Sequence, residues 1–250
     1  MKRFIGVTVI TLLVLGSAGR VRADDKGATA LIDKAIKALG GEEKLSKVKA
    51  VSYKSKGTIT IGGNDNEITT STTIEGLDKH RLEFKGKFGE MEISGVTVLN
   101  GDKGSRKFGD QNMELDKDAV ANEKRTLYLG FIPMTLVQLK DKSFKVEAAG
   151  EDKVGGKPAS GIKVTPADGK EFKLYFDNET GLPAKLVAKV IGFDGQEFTQ
   201  ETTYDGYKEV DGIKKAMKTE SKKDGDKFIS MEITEFKVLE KVDAKLFATE

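Results

Sequence analysis

The chain contains no cysteine, no tryptophan and a single histidine in 250 residues. Without cysteine there is no disulfide, no thiol nucleophile, no thiolate metal site and no lipidated cysteine to tether the protein to a membrane. With His80 alone, a metal site built from several histidines is excluded. Long apolar runs are lacking as well: Phe4 to Leu15 and Leu127 to Leu139 are each too short to span a bilayer.

An excess of charge of one sign is also missing. Met1 to Ala23 has the layout of a secretory signal, with Lys2 and Arg3, the apolar run, and small or short-branched residues at Val21 and Ala23. Four of the 42 basic residues and none of the 40 acidic ones lie in it, leaving 38 against 40. Lys and Glu are interleaved, so no basic stripe exists for nucleic acid. The expected product is a soluble protein, cleaved after Ala23 and exported to the periplasm or beyond, with residues 24–250 forming one domain.

The remaining chain changes period only a few times. Ala28, Leu31, Ile32, Ala35, Ile36 and Leu39 follow the spacing of one helix face, and Gly40-Gly41 ends that helix. From Val51 the period is two: Val51, Tyr53, Ile59 and Ile61 alternate with polar residues, and runs of the same kind continue to Val98. The apolar parity changes between Ile93 and Val96, which predicts a turn or bulge at Ser94-Gly95. Asn100-Gly101 predicts a hairpin. A helical insert is expected over about 116–140, broken near Gly130 and Pro133, with an apolar second half that must be buried. Strand periodicity resumes at Ser143 and runs to the end, punctuated by Asp-Gly turns.

Polar clusters along the chain read as corners. In YFDNETGLPAKLVAKV (Tyr175 to Val190), Phe172, Leu174 and Phe176 share a face before DNETGLP, and Leu182, Ala184, Leu186, Ala188 and Val190 share one after it. Asp177, Asn178 and Gly181 are turn formers there. Asn178-Glu179-Thr180 also matches a glycosylation acceptor. His80 shares parity with Leu82 and Phe84 and reads as the rim of a half-buried face. Gly101 to Lys107 lacks the spacing of a phosphate loop, and Asp224-Gly225-Asp226 is too short for a calcium loop. No catalytic set, metal site or cofactor is expected.

The fold class expected is α+β, mainly β: a curled antiparallel sheet of about 11–12 strands forming a half-open barrel with a helical plug. A sheet of that many strands curls around an interior too wide for its own side chains to fill. Leu129, Phe131, Ile132, Met134 and Leu136 from the insert are expected to line an apolar cavity there. Phe172, Leu174, Phe176, Leu186, Ile229, Met231 and Ile233 would line it from the strands, making it suited to an acyl chain.

Three stretches carry a family resemblance: DKAIKALGGEEKLSKVKAVSYKSKG, KLYFDNETGLPAKL, and YDGYKEVDGIKKAMKTE followed by ISMEITEFKVLEKVDAKLF. Together they resemble the LolA/LolB-like outer-membrane lipoprotein-sorting superfamily over nearly all of residues 24–250. The resemblance implies a half-open barrel that holds lipoprotein acyl chains, or free lipid, in the periplasm. Envelope transport proteins are further candidate partners, and the chain is expected to be a monomer. The chain departs from the pattern at Lys215-Ala216-Met217, where a proline is usual, and in having no tryptophan. The alternative implied by the same superfamily is a sensor or protein-binding module without a transport role.

Overall fold

The computed structural model describes residues 21–192 and 195–249. The expected leader lies outside the described residues as far as residue 20, and its last three residues open the first helix. That helix, α1 (Val21–Leu39), is followed by a single turn, α2 (Glu42–Leu45). Six strands come next: β1 (Ala50–Ile61), β2 (Asn64–Glu75), β3 (Lys79–Phe88), β4 (Met91–Asn100), β5 (Lys103–Phe108) and β6 (Gln111–Glu114). Helix α3 (Lys117–Thr135) and a 3-10 turn, Val137–Lys140, form the insert. The chain then runs through β7 (Lys145–Val154), β8 (Lys157–Thr165), β9 (Phe172–Asp177), β10 (Pro183–Ile191) and β11 (Glu197–Asp205). A small hairpin, β12 (Lys208–Val210) and β13 (Ile213–Lys215), precedes β14 (Lys218–Lys223), β15 (Asp226–Leu239) and a last 3-10 turn, Ala244–Phe247.

Among the described residues, thirteen strands form one antiparallel sheet in the order β6-β5-β4-β3-β2-β1-β15-β14-β11-β10-β9-β8-β7. The sheet is not closed: β6 and β7 are its two edges, and the insert carries the chain from one to the other. The architecture is the expected open, curled α+β fold, with more strands than the 11–12 anticipated. One reason is β6, whose four residues are all exposed and leave no apolar signature in the sequence.

Helices α1 and α3 define the inner face. Ala28, Ile32, Ala35, Ile36 and Leu39 of α1 are buried, and α1 packs on β7 and β8. The 3.6-residue spacing of these side chains puts one stripe against the sheet. α3 begins at Asp116, whose side chain accepts from the Ala119 amide at 2.8 Å. It continues unbroken through Gly130 and Pro133, against the expected break. Pro133 falls in the last turn, where only one helical hydrogen bond is lost, and the helix stops three residues later at Leu136, which is left-handed at φ 60°.

One strand-level expectation fails for an instructive reason. β4 pairs with β3 without any register shift, so no turn or bulge lies at Ser94-Gly95. The parity change arises because Val98 faces outward and is still only 4% exposed. The turn Ala244–Phe247 lies over β3 and β4 on that side, held by Asn100 Nδ2 donating to the Phe247 carbonyl at 3.2 Å. A covered outer face selects apolar residues as a core face does. The hairpin at Asn100-Gly101 forms as expected, with Asn100 paired to Lys103 and Gly101 at φ 61°.

Candidate functional site

The polar centre of DNETGLP is a corner. Asp177 Oδ1 accepts from the amides of Glu179 and Thr180 at 3.1 and 2.7 Å and from the Thr180 hydroxyl at 2.9 Å. The Thr180 amide bond is the main cause holding the Asp177 carboxyl below the usual carboxylate range. Asn178 accepts from Ser160 Oγ at 2.7 Å. These acceptors are used up in closing the β9–β10 turn. Among the described residues no group of three or more His, Asp or Glu side chains is placed to hold a metal.

Ten of the twelve residues expected around a cavity belong to one continuous core: Leu129, Phe131, Ile132, Met134 and Leu136 with Phe172, Leu174, Phe176, Leu186 and Ile233. Ile229 and Met231 are half-buried farther along β15. The space left against α3, beside Pro133 and Met134, is about 10 Å³, room for about one water. In this conformation the insert and the strands β7–β11, the C-terminal wing, fill each other.

The strands β2–β6, the N-terminal wing, are different. Strand pairing resolves their inner face into rows. Val51, Ile74, His80 and Leu99 form one row and belong to the helix-covered end; all four are buried. The next rows, Tyr53-Thr72-Leu82-Thr97-Arg106-Met113 and Ser55-Thr70-Phe84-Gly95-Phe108, run out from under α3. Ile68, Leu82, Phe84, Phe88 and Ile93 are only half-buried. Ile61, Met91, Phe108 and Met113 on the same face are exposed, Met91 at 66%.

This apolar surface is contiguous, which separates it from the scattered exposed hydrophobes of ordinary surfaces. Phe84 and Phe108 form a tilted pair with ring centroids 6.0 Å apart. Gly86 and Gly95 make the arrangement possible: a Cβ at Gly95 would lie 2.5 Å from the Phe84 ring, and one at Gly86 2.6 Å from the Phe88 ring. The aromatic rings thus occupy the space over glycines and border an open trough. Sequence alternation placed these residues on one face, yet nothing in it signalled that no helix covers them. The charged side chains Glu83, Lys85 and Lys87 point to the other face. A groove of about 590 Å³ also crosses β2, β1, β15 and β14, bordered by outer-face residues such as Lys56, Glu67, Lys218 and Glu232 and by Gly57, Ile68, Thr219 and Met231 of the inner-face row between them.

α3 is fastened to both wings at the border of the trough. On the N-terminal wing, Arg106 Nη2 donates to Glu123 Oε1 at 2.5 Å. Burial holds the Glu123 carboxyl above its ordinary pKa, and Arg106 offsets part of that shift. On the C-terminal wing, Arg125, 2% exposed, donates to the carbonyls of Lys189, Lys170 and Glu171 at 2.8, 2.8 and 3.1 Å and to the Tyr128 hydroxyl at 2.7 Å. Its charge is compensated by carbonyl dipoles and by Asp168, which accepts from the Tyr128 hydroxyl at 3.0 Å. Arg81, by contrast, lies on the outer face and donates to Glu83 and to the Leu246 carbonyl.

His80 is more deeply placed than a rim residue. It is 4% exposed between Ile74 and Leu99, and its Nδ1 has no hydrogen-bond partner. Burial alone pulls its pKa down to about 4, so the ring is neutral at pH 7.

An unclosed sheet, helices on its inner face and an insert joining its two edges also describe known structures. A LolA superfamily protein from Nitrosomonas europaea superposes with a TM-score of 0.57, at 9% identity over 88% of this chain and 97% of that one. The fold is LolA-like. A DUF1329 family protein from Desulfovibrio piger shares this LolA-like fold at TM-score 0.56 and 10% identity, over 88% and 97% of the two chains. So does a Vibrio parahaemolyticus domain described as an outer membrane lipoprotein-sorting protein, at TM-score 0.53 and 8% identity over 86% and 97%. No family model and no curated protein matches the sequence. Among the described residues no helix is long and apolar enough to cross a membrane.

Proposed function

We propose that the protein is an exported, non-enzymatic carrier that binds acyl chains of lipoproteins or free lipid. The observation that carries this reading is the uncovered apolar trough of the N-terminal wing, paved by Phe84, Phe108, Ile93 and Met91 beside a tightly pinned α3. Of the residues expected from sequence, Ile229 and Met231 lie toward it on β15, and the other ten form the core in which α3 packs on the strands. An alkyl chain laid on this surface gains roughly 25 cal/mol for each Å² of apolar area removed from water. The unbranched Met91 and Met113 adapt to chains of different shape. Export follows the signal layout of Met1 to Ala23 and is read from the mass of the mature protein.

The test is binding of a fluorescent fatty-acid probe to the wild type, to Phe108→Asp in the trough and to Lys85→Asp on the outer face. Wild type and Lys85→Asp bind at about micromolar concentration, and Phe108→Asp, still folded, binds at least about tenfold more weakly. Absence of binding by the wild type overturns the reading and leaves the same surface to a protein partner.

A further inference from the structure

The hairpin β12–β13 pairs only with itself and packs at the end of α1, with Lys214 to Ala216 reaching the last turn of α3. It carries an unusual lysine. Lys215 is 6% exposed in the small pocket beside Met134 and Pro133, and Tyr204 and Tyr207 line the same space. No carboxylate lines that pocket, and no hydrogen bond or ion pair reaches Lys215 among the described residues. A largely buried lysine without a counter-charge beside it is costly, and burial pulls its pKa down to about 8. At neutral pH it still carries its proton.

Two further features aim this group at a ligand. The Tyr207 hydroxyl is committed to the Pro183 carbonyl at 2.7 Å, whereas the Tyr204 hydroxyl makes no hydrogen bond among the described residues. Burial raises the Tyr204 pKa, so it remains a donor. Tyr204 also begins a single inner-face row, Tyr204-Thr219-Met231-Gly57-Ile68-Gly86-Ile93, that crosses seven strands. Six interstrand steps span roughly 29 Å, and the row ends on the open trough.

We propose that Lys215, with the Tyr204 hydroxyl, anchors the carboxylate of a long-chain fatty acid whose alkyl tail runs along this row into the trough. The inference rests on the acyl-binding reading and names its ligand class: a free anionic lipid, in place of the neutral acyl chains of a lipoprotein. The space now present holds about one water, so the carboxylate enters as the flexible Met134 repacks and the hairpin yields. The incoming anion supplies the counter-charge that the pocket lacks.

The test compares palmitate with hexadecanol as competitors of a fluorescent acyl probe. The wild type favours palmitate by about tenfold or more, the scale of one charge-assisted hydrogen bond. In Lys215→Met the ratio falls to about one, and in Tyr204→Phe it falls part of the way, with thermal melts confirming that both are folded. Lys215→Gln replaces the Met variant if that one does not fold. A wild type that binds both lipids without preference overturns the anchor and leaves acyl binding standing. A folded Lys215 variant that keeps the preference, or loses both lipids together, also overturns it. A lysophosphatidic acid that outcompetes palmitate overturns the carboxylate assignment, and a wild type that binds neither lipid overturns the acyl-binding reading itself.

Discussion

The two wings of the sheet carry the same kind of sequence and meet different fates. In β9 and β10, Phe172, Leu174, Phe176 and Leu186 lie under α1 and α3 and are at most 2% exposed. In β3 to β5, Leu82, Phe84, Ile93 and Phe108 alternate with polar residues just as regularly, yet the first three are only half-buried and Phe108 remains 46% exposed. Alternation therefore marks a face as apolar without saying what it meets. On one wing the apolar face became core, and on the other it became a surface available to a ligand.

The sharpest way to break this comparison is a pair of truncations. Leu174→Ala, at a site 0% exposed, should cost about 2–5 kcal/mol, because neighbours pinned by two helices cannot collapse into the void. Phe84→Ala should cost about 1 kcal/mol and weaken acyl binding more than it weakens the fold. Denaturant melts of the two, with probe binding, decide it. Equal losses of stability would mean that the N-terminal wing is also core.

Next come two buried bases. His80, with its pKa pulled from 6.5 to about 4, binds fewer protons folded than unfolded, so its stability contribution is complete above about pH 6.5 and is lost as pH falls towards 4. Lys215, drawn from 10.5 to about 8, does the same higher up: stability rises between about pH 8 and 10.5. Each shift corresponds to about 3 kcal/mol. His80→Leu should flatten the acid side of a stability-pH curve and Lys215→Met the alkaline side. The trade is a more stable protein with a weaker anchor.

The two pins of α3 rank below these. Arg125→Met strands three carbonyls and removes the cation beside Tyr128 and Asp168, for about 3 kcal/mol. Arg106→Met should cost about 1–2 kcal/mol at pH 7, and the deficit should shrink on acidification as the buried Glu123 takes a proton. The smallest effect is expected for Met91→Ser, within about half a kcal/mol by thermal melt because the side chain is 66% exposed. Its readout is binding.

Much of the fold was legible because local rules were strong. The turn at Asp177 to Gly181, the hairpin at Asn100, the α1 stripe and the place of the insert all follow from side chains acting within a few residues of themselves. The misreadings came from contacts made across the fold. Ser94-Gly95 looked like a bulge because Phe247, far along the chain, covers the outer face near Val98. Lys185 alternates with the inward Ala184 and Leu186, yet it is not left to solvent: its ammonium meets Asp152 at 2.5 Å and lies 4.9 Å from the Tyr175 ring centroid. The trough was missed for the same reason in reverse, since an apolar face that meets nothing has the same spelling as one that meets a helix.

By itself, the sequence determined the period of each element, the positions of its turns, the absence of cysteine chemistry and of any histidine-built site, and the pattern that resembles a lipoprotein-sorting fold. Tertiary structure alone decided that α1 and α3 cover one wing and only the near end of the other, that His80 is sealed between Ile74 and Leu99, and that Lys215 is largely buried without a counter-charge. The physical reason is that periodicity is a property of one strand, whereas burial is a property of two surfaces brought together by the whole chain.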